Sequence, residues 1–211
     1  MQTLRILILA VLTTGSLSLR AQFTDKLVPH FGFMWEFATA EEAPEQTVVF
    51  EDFYNFNIGS YIALWHRNDV VSVGIDPSVQ MGVNFILVPT STGGARARIN
   101  YTVQTPVFAM MRLGALATKY NEQGVGIGLG VGGNYTYFNQ QIGINQRRMA
   151  GFLNPSAVAE LTIRTRGNPL TGRLHFALDK TNSLLKINTN GVISEIQFPM
   201  GNFGFGLLYG F

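Results

Sequence analysis

The stretch Val71-Ser72-Val73-Gly74-Ile75-Asp76-Pro77-Ser78-Val79-Gln80-Met81-Gly82-Val83-Asn84-Phe85-Ile86-Leu87 decides the fold class. Every odd position is apolar, and the even positions are small or polar apart from Ile86. Successive strand residues point to opposite faces, so a period of two makes one greasy face and one polar face. Length separates this run from the strands of soluble sandwiches, which usually hold ~5–6 residues. At ~3.3 Å per residue the run spans roughly 56 Å, and tilted near 45° it still projects about 40 Å. That exceeds the ~25 Å apolar band of an outer-membrane barrel.

The alternation recurs along the chain. Phe31, Phe33, Trp35 and Phe37 alternate with His30, Gly32, Met34 and Glu36. Tyr54 to Leu64, Ile99 to Ala115, Val125 to Tyr137, Ala157 to Ile163, Leu174 to Leu178 and Phe203 to Phe211 behave alike. Short connections are expected at 66–69, 118–123 and 167–169. Longer ones are expected at 38–52, 88–97, 140–154 and 181–200. Alternating short turns and longer loops is the pattern of outer-membrane barrels. Only a closed barrel leaves no unpaired backbone in lipid. The expectation is an all-β, eight-stranded antiparallel up-and-down transmembrane β-barrel, with ten strands as the alternative if Thr47–Phe50 and Ser183–Phe198 also span. With eight strands both termini fall on the short-turn side, the periplasm of a Gram-negative bacterium.

Composition agrees. Charged residues are 13 % of the 211, hydrophobics 46 % and aromatics 12 %, with 23 Gly and no Cys. Disorder needs more charge and fewer aromatics. Without cysteine there is no disulfide framework and no thiolate metal site. Beyond the N-terminus no apolar run nears the ~18 residues of a spanning helix. Residues 1–21 read as a signal peptide: Arg5, then the apolar Ile6 to Leu12, then small residues up to Ala21. Residues 22–211 are then the barrel. The signal carries two of the 15 Lys and Arg and none of the 13 Asp and Glu, so the remainder balances at 13 against 13. A nucleic-acid partner loses its support with that balance.

Several features together resemble small outer-membrane β-barrel proteins of the Bacteroidota type, the group that includes the PorT-like proteins. They are Ala21-Gln22, Gln104-Thr105-Pro106-Val107 in a long strand, the Gly-rich Val125-Gly126-Ile127-Gly128-Leu129-Gly130, and the closing Phe211. The resemblance covers 22–211 and implies the barrel fold. It supplies no catalytic set. It implies an accessory subunit of an outer-membrane secretion, transport or assembly complex. Phe203, Phe205, Leu207, Tyr209 and Phe211 resemble the C-terminal strand signal read by the barrel insertion machinery.

Candidate sites follow from the polar face. Glu36, Asp76, Arg98, Arg112, Glu160, Arg164, Arg173, His175 and Asp179 are expected in the lumen. Eight strands enclose just enough space for side chains to fill, and buried charges must be paired. The expectation is an ion-pair network that plugs the barrel. Glu160 and Arg164 stand about 13 Å apart along one strand, so each needs partners on neighbouring strands. Gly128-x-Gly130-x-x-Gly133 matches the dinucleotide fingerprint, but a strand follows it where that site needs a helix. The glycines read instead as room for bulky lumen groups. No serine or histidine has a nucleophile context, so no catalytic residue, metal or cofactor is expected. Glu41, Glu42 and Glu45 face Arg147 and Arg148 in sign and are the outer-loop binding candidates. Expected partners are outer-membrane lipids, the insertion machinery and other outer-membrane proteins. A stand-alone barrel that binds a ligand through its loops, as an adhesin or a lipid binder, is the alternative.

Overall fold

The computed structural model describes residues 26–43, 46–89, 94–141, 145–165 and 168–210. The signal-peptide expectation, Glu45 and Phe211 lie outside them. Nine strands follow in order: β1 (Leu27–Ala43), β2 (Gln46–Arg67), β3 (Val71–Pro89), β4 (Ala95–Gly114), β5 (Val125–Gln141), β6 (Gln146–Thr165), β7 (Asn168–Ala177), β8 (Thr181–Thr189) and β9 (Val192–Gly210). Each of β1 to β6 pairs antiparallel with the next, and β9 pairs with both β7 and β1. The ring is closed, from His30↔Gly210 to Ala40↔Met200 along the last seam.

The ninth strand does not make a ninth wall. β7 pairs with the lower part of β6 and β8 with its upper end, and β9 runs along both. β7 and β8 are therefore two halves of one wall, broken at Leu178–Lys180. The Leu178 N–H donates to Pro155 O at 2.8 Å and the Thr181 hydroxyl to Leu153 O at 2.7 Å, which ties the break to β6. The barrel has eight walls. Thr47–Phe50 belongs to β2, and Ser183–Phe198 forms the hairpin that prolongs the last two walls.

The expected loop lengths are corrected by the structure. At the end expected to carry long loops, the strand bounds leave two, five, four and two connecting residues. Strand pairing takes up what looked like loop. The β8–β9 turn is Asn190-Gly191, with φ of 52° and 87°, the two positive values that a type I′ hairpin demands. Asn68-Asp69, with φ of 49° and 56°, turns β2 into β3 in the same way.

The longest connection, 115–124, sits at the opposite end, beside the described termini. The strand expected to run through Ala115 stops at Gly114, where φ is +77°. Ala115, Leu116, Ala117 and Thr118 are buried there. Thr118 donates to Asp69 Oδ1 at 3.2 Å and Asn121 to Asp69 O at 2.6 Å, which holds this loop over the barrel end.

The outer surface is apolar over the middle of the strands. Ile58, Leu129, Val131, Leu161 and Leu207 all stand exposed on it. On β2 this belt is bracketed by the exposed aromatics Tyr54 and Trp65. The strand between them rises about 25 Å at a tilt near 45°. Trp35, Tyr101 and Tyr135 are exposed near the Tyr54 end. Beyond that aromatic level the wall continues as paired strand, so a stiff barrel projects past the belt.

Candidate functional site

The lumen is filled in layers, and the charged layer is its most organised part. Asp76 on β3, Arg112 on β4, Glu160 on β6 and Arg173 on β7 all point inward and are buried. Arg112 donates from Nε to Glu160 Oε2 at 2.9 Å and from Nη2 to Asp76 Oδ2 at 3.0 Å. Arg173 donates from Nε to Glu160 Oε1 at 2.8 Å. Its Nη2 reaches both Asp76 Oδ2 and Glu160 Oε1 at 2.5 Å. Two carboxylates and two guanidiniums thus share their charges across four walls. Charge-assisted bonds of this kind are roughly twice as strong as neutral ones, and losing any member strands the others without water. The Arg112 guanidinium also lies 4.2 Å above the centre of the Tyr61 ring, a cation–π contact.

Two histidines extend the layer. His175 Nε2 lies 3.1 Å from Glu36 Oε2, within ion-pair range though not aligned as a hydrogen bond. His30 Nε2 lies 3.6 Å from Asp76 Oδ1, an electrostatic contact longer than a hydrogen bond.

Glycine makes these reaches geometrically possible. Gly128 stands between Arg112 and Glu160 in one cross-strand row. A Cβ there would come within 2.8 Å of Glu160 Oε2. Gly204 stands between His175 and Glu36 in the same manner, and a Cβ there would overlap the Glu36 carboxylate. Gly59 lies beside His30, and a Cβ there would sit 2.7 Å from its Nε2. The groups that use this room come from adjacent strands, not from the opposite wall. The Gly128–Gly133 segment runs as strand through β5.

Neutral layers complete the filling. Asn134 Nδ2 donates to Gln104 Oε1 at 2.8 Å, and Asn202 Nδ2 to Thr136 Oγ1 at 3.1 Å. Towards the described termini Val28, Tyr61, Phe108, Met110, Leu116 and Val158 form a buried apolar cluster. Towards the other end Phe53, Phe138, Phe152, Leu185 and Met200 form a second one. Among the described residues the charged layer lies between these two apolar clusters, beside buried amide side chains.

The expected site residues separate into those the fold brings together and those it does not. Asp76, Arg112, Glu160 and Arg173 meet, and Glu36 meets His175. Glu160 takes its partners from β4 and β7, across strands. Arg164 is half-buried near the end of β6 and joins none of these pairs. Arg98 lies on β4, and its side chain is outside the described set. Asp179 does not enter the lumen. It is exposed in the β7–β8 break, where Oδ1 accepts the Lys180 N–H at 2.8 Å. Glu41 and Glu42 lie within β1, and Arg147 and Arg148 within β6, so these are strand ends rather than loops. Phe203, Phe205, Leu207 and Tyr209 stand on the outward face of β9. The His30 contact was not anticipated. Its place at the same parity as Glu36 on β1 was the available signal: both occupy even positions of one strand. Among the described residues no group of three or more His, Asp or Glu is arranged to hold a metal ion.

No family model matches the chain, and no curated protein matches its sequence. Solved structures similar to it include two small proteins. One is Ail, the attachment invasion locus protein of Yersinia pestis, crystallised in complex with the heparin analogue sucrose octasulfate. It is 13 % identical, with a TM-score of 0.44, over 88 % of this chain and 97 % of that one. The other is Neisserial surface protein A, 8 % identical with a TM-score of 0.44, over 86 % of this chain and 95 % of that one.

Proposed function

We propose that this chain is an outer-membrane barrel of a Gram-negative bacterium, with its termini in the periplasm. It passes nothing through its lumen and acts by docking its outer wall to another outer-membrane protein. The buried charged, amide and apolar layers of the lumen support a barrel that transports nothing through itself. The observation that carries the docking reading is the rung Phe85↔Ile99 between β3 and β4. These side chains are 67 % and 64 % exposed. They stand one rung beyond Val83↔Tyr101, on the far side of the aromatic level that bounds the belt. Large apolar side chains exposed past a lipid boundary mark a partner surface. A subunit of a secretion, transport or assembly complex is also the role implied by the PorT-like resemblance. During biogenesis the insertion machinery would read the outward aromatic face of β9. No catalytic role is assigned.

Site-specific photo-crosslinking at positions 85 and 99 in native membranes tests the docking. The expected result is one discrete membrane-protein adduct, lost in Phe85→Ser plus Ile99→Ser while the barrel itself still folds. Adducts with lipid alone, together with a free monomer after gentle extraction, overturn it. Planar-bilayer recording tests the closed lumen: no stable current is expected, and an ohmic current overturns that part.

A stand-alone barrel that binds a ligand at its projecting end is the second reading. It is favoured by Glu41 and Glu42 on β1 and Arg147 and Arg148 on β6, which emerge at the same end with opposite charge. Retention on an immobilised polyanion at physiological salt, lost in Arg147→Glu plus Arg148→Glu, is its expected signature.

A further inference from the structure

We infer that the outer wall over β7, β9 and β1 is a seat for one phosphate-bearing membrane lipid, with its acyl chain in a groove and its headgroup at Lys180. The inference rests on the membrane reading above and goes beyond it by naming a site and its ligand.

The groove is an outward hollow of about 970 Å³. Phe33, Trp35, Leu161, Leu174 and Leu207 border it, and Gly172 lies at its floor. Gly172 is the register partner of Leu161 on one side and Leu207 on the other. The row is thus a leucine, a gap and a leucine on the apolar belt.

The gap is not forced by the barrel. At the inward glycines 32, 74, 128, 132, 204 and 206 a Cβ would meet neighbouring atoms at under 3.0 Å. At Gly172 it would meet nothing nearer than Leu161 O at 3.8 Å. Packing would accept a side chain at 172, and its absence leaves the hollow open on the outer face. A hollow on the apolar belt is surrounded by hydrocarbon, so an acyl chain is the occupant at hand.

Charge places the other end of the lipid. Following β7 upward, the outward residues Leu170, Gly172, Leu174 and Phe176 lead to the break and to Lys180. A Cβ at Gly201 would lie 3.3 Å from Lys180 Cγ and 3.3 Å from Thr39 Oγ1, so the Lys180 stem lies over β9 beside Gly201. These residues lie just past Phe37 and Phe203, which stack at the end of the aromatic seam with ring centres 4.6 Å apart. A lysine just past the aromatic seam, above an apolar groove, matches an anionic headgroup on a single chain-bearing molecule.

Trp35 borders the groove, and the chain has two tryptophans, so quenching by brominated lipid reads the site directly. The folded protein is placed in phosphatidylcholine vesicles with increasing brominated phosphatidylglycerol. Trp65→Phe leaves Trp35 as the reporter, and Trp35→Phe leaves Trp65 as the bulk reference. Trp35 is expected to reach half-maximal quenching at about a tenfold lower brominated fraction than Trp65, a preference of about 1.4 kcal/mol. Gly172→Leu, or the smaller Gly172→Ala, should reduce that preference while circular dichroism stays unchanged. Lys180→Gln should reduce it for brominated phosphatidylglycerol and leave brominated phosphatidylcholine unaffected. Equal quenching of both tryptophans overturns the lipid seat, as does a preference that both Gly172 variants preserve. A preference indifferent to Lys180→Gln overturns the headgroup assignment. Absence of quenching at both tryptophans overturns the membrane reading instead, and quenching of Trp65 without Trp35 overturns the seat, so the two failures are distinct.

Discussion

Glu160 and Arg173 stand directly opposite each other on β6 and β7, and the carboxylate accepts two bonds from the one guanidinium. Both side chains are almost wholly buried, at 2 % and 1 % exposure. Arg112 holds the other carboxylate oxygen. Replacing Glu160 by Ala leaves two guanidiniums with Asp76 as their remaining carboxylate partner. The expected loss is about 3–5 kcal/mol, measured by urea unfolding in detergent micelles. Glu160→Leu combined with Arg173→Met should recover a large part of it, because a charge pair removed together leaves less charge stranded.

Glycines that look equivalent in the sequence should respond oppositely. Gly128→Ala pushes a methyl into the Glu160 carboxylate and to 3.3 Å from Met110 Cε. It should cost about 1–3 kcal/mol as an overpacking change. Gly172→Ala adds a methyl to open space on the outer face and should stay within about 0.5 kcal/mol of the parent. Parallel unfolding curves of the two variants check the contrast.

Asp69 joins two segments at the closed end. Its carboxylate accepts the Thr118 hydroxyl and lies 3.3 Å from His66 Nδ1. Asp69→Ala should cost about 1 kcal/mol and loosen the 115–124 loop. The measurement is tryptic cleavage after the exposed Lys119, which should accelerate while the spanning strands stay protected.

The closing seam carries an outward aromatic ladder. Phe37 stacks on Phe203, and Trp35 lies 5.5 Å from Phe205. An aromatic pair contributes ~0.5–1.5 kcal/mol beyond its area. Phe203→Ala should therefore lower stability by at least that amount. It should also slow ring closure, because β1 and β9 are the first and last described strands and meet across the longest sequence separation. Refolding into vesicles, followed by tryptophan fluorescence, checks the rate.

The sequence by itself determined which side of each strand is greasy. A period of two admits no other assignment of faces, and the length of Val71 to Leu87 and its counterparts, with the apolar closing strand, implied a barrel. It also marked Glu36, Asp76, Arg112, Glu160, Arg173 and His175 as inward, by parity alone. Parity says nothing about axial level. Which carboxylate meets which guanidinium depends on the register of every intervening pair and on the tilt that closes the ring. Asp179 shows the limit. It shares the parity of Arg173 and His175, but the wall breaks at Leu178–Lys180 and turns it outward. The expected loops failed for a related reason. Much of 38–52 read as a loop, yet it pairs as strand between β1 and β2, and the Ser183–Phe198 segment, read as a hairpin within the last loop, also pairs with β6. The pairing edges, the closed seam and the contacts across it exist only in the folded ring. The tertiary structure therefore decided the charged layer, the buried 115–118 segment and the Gly172 hollow.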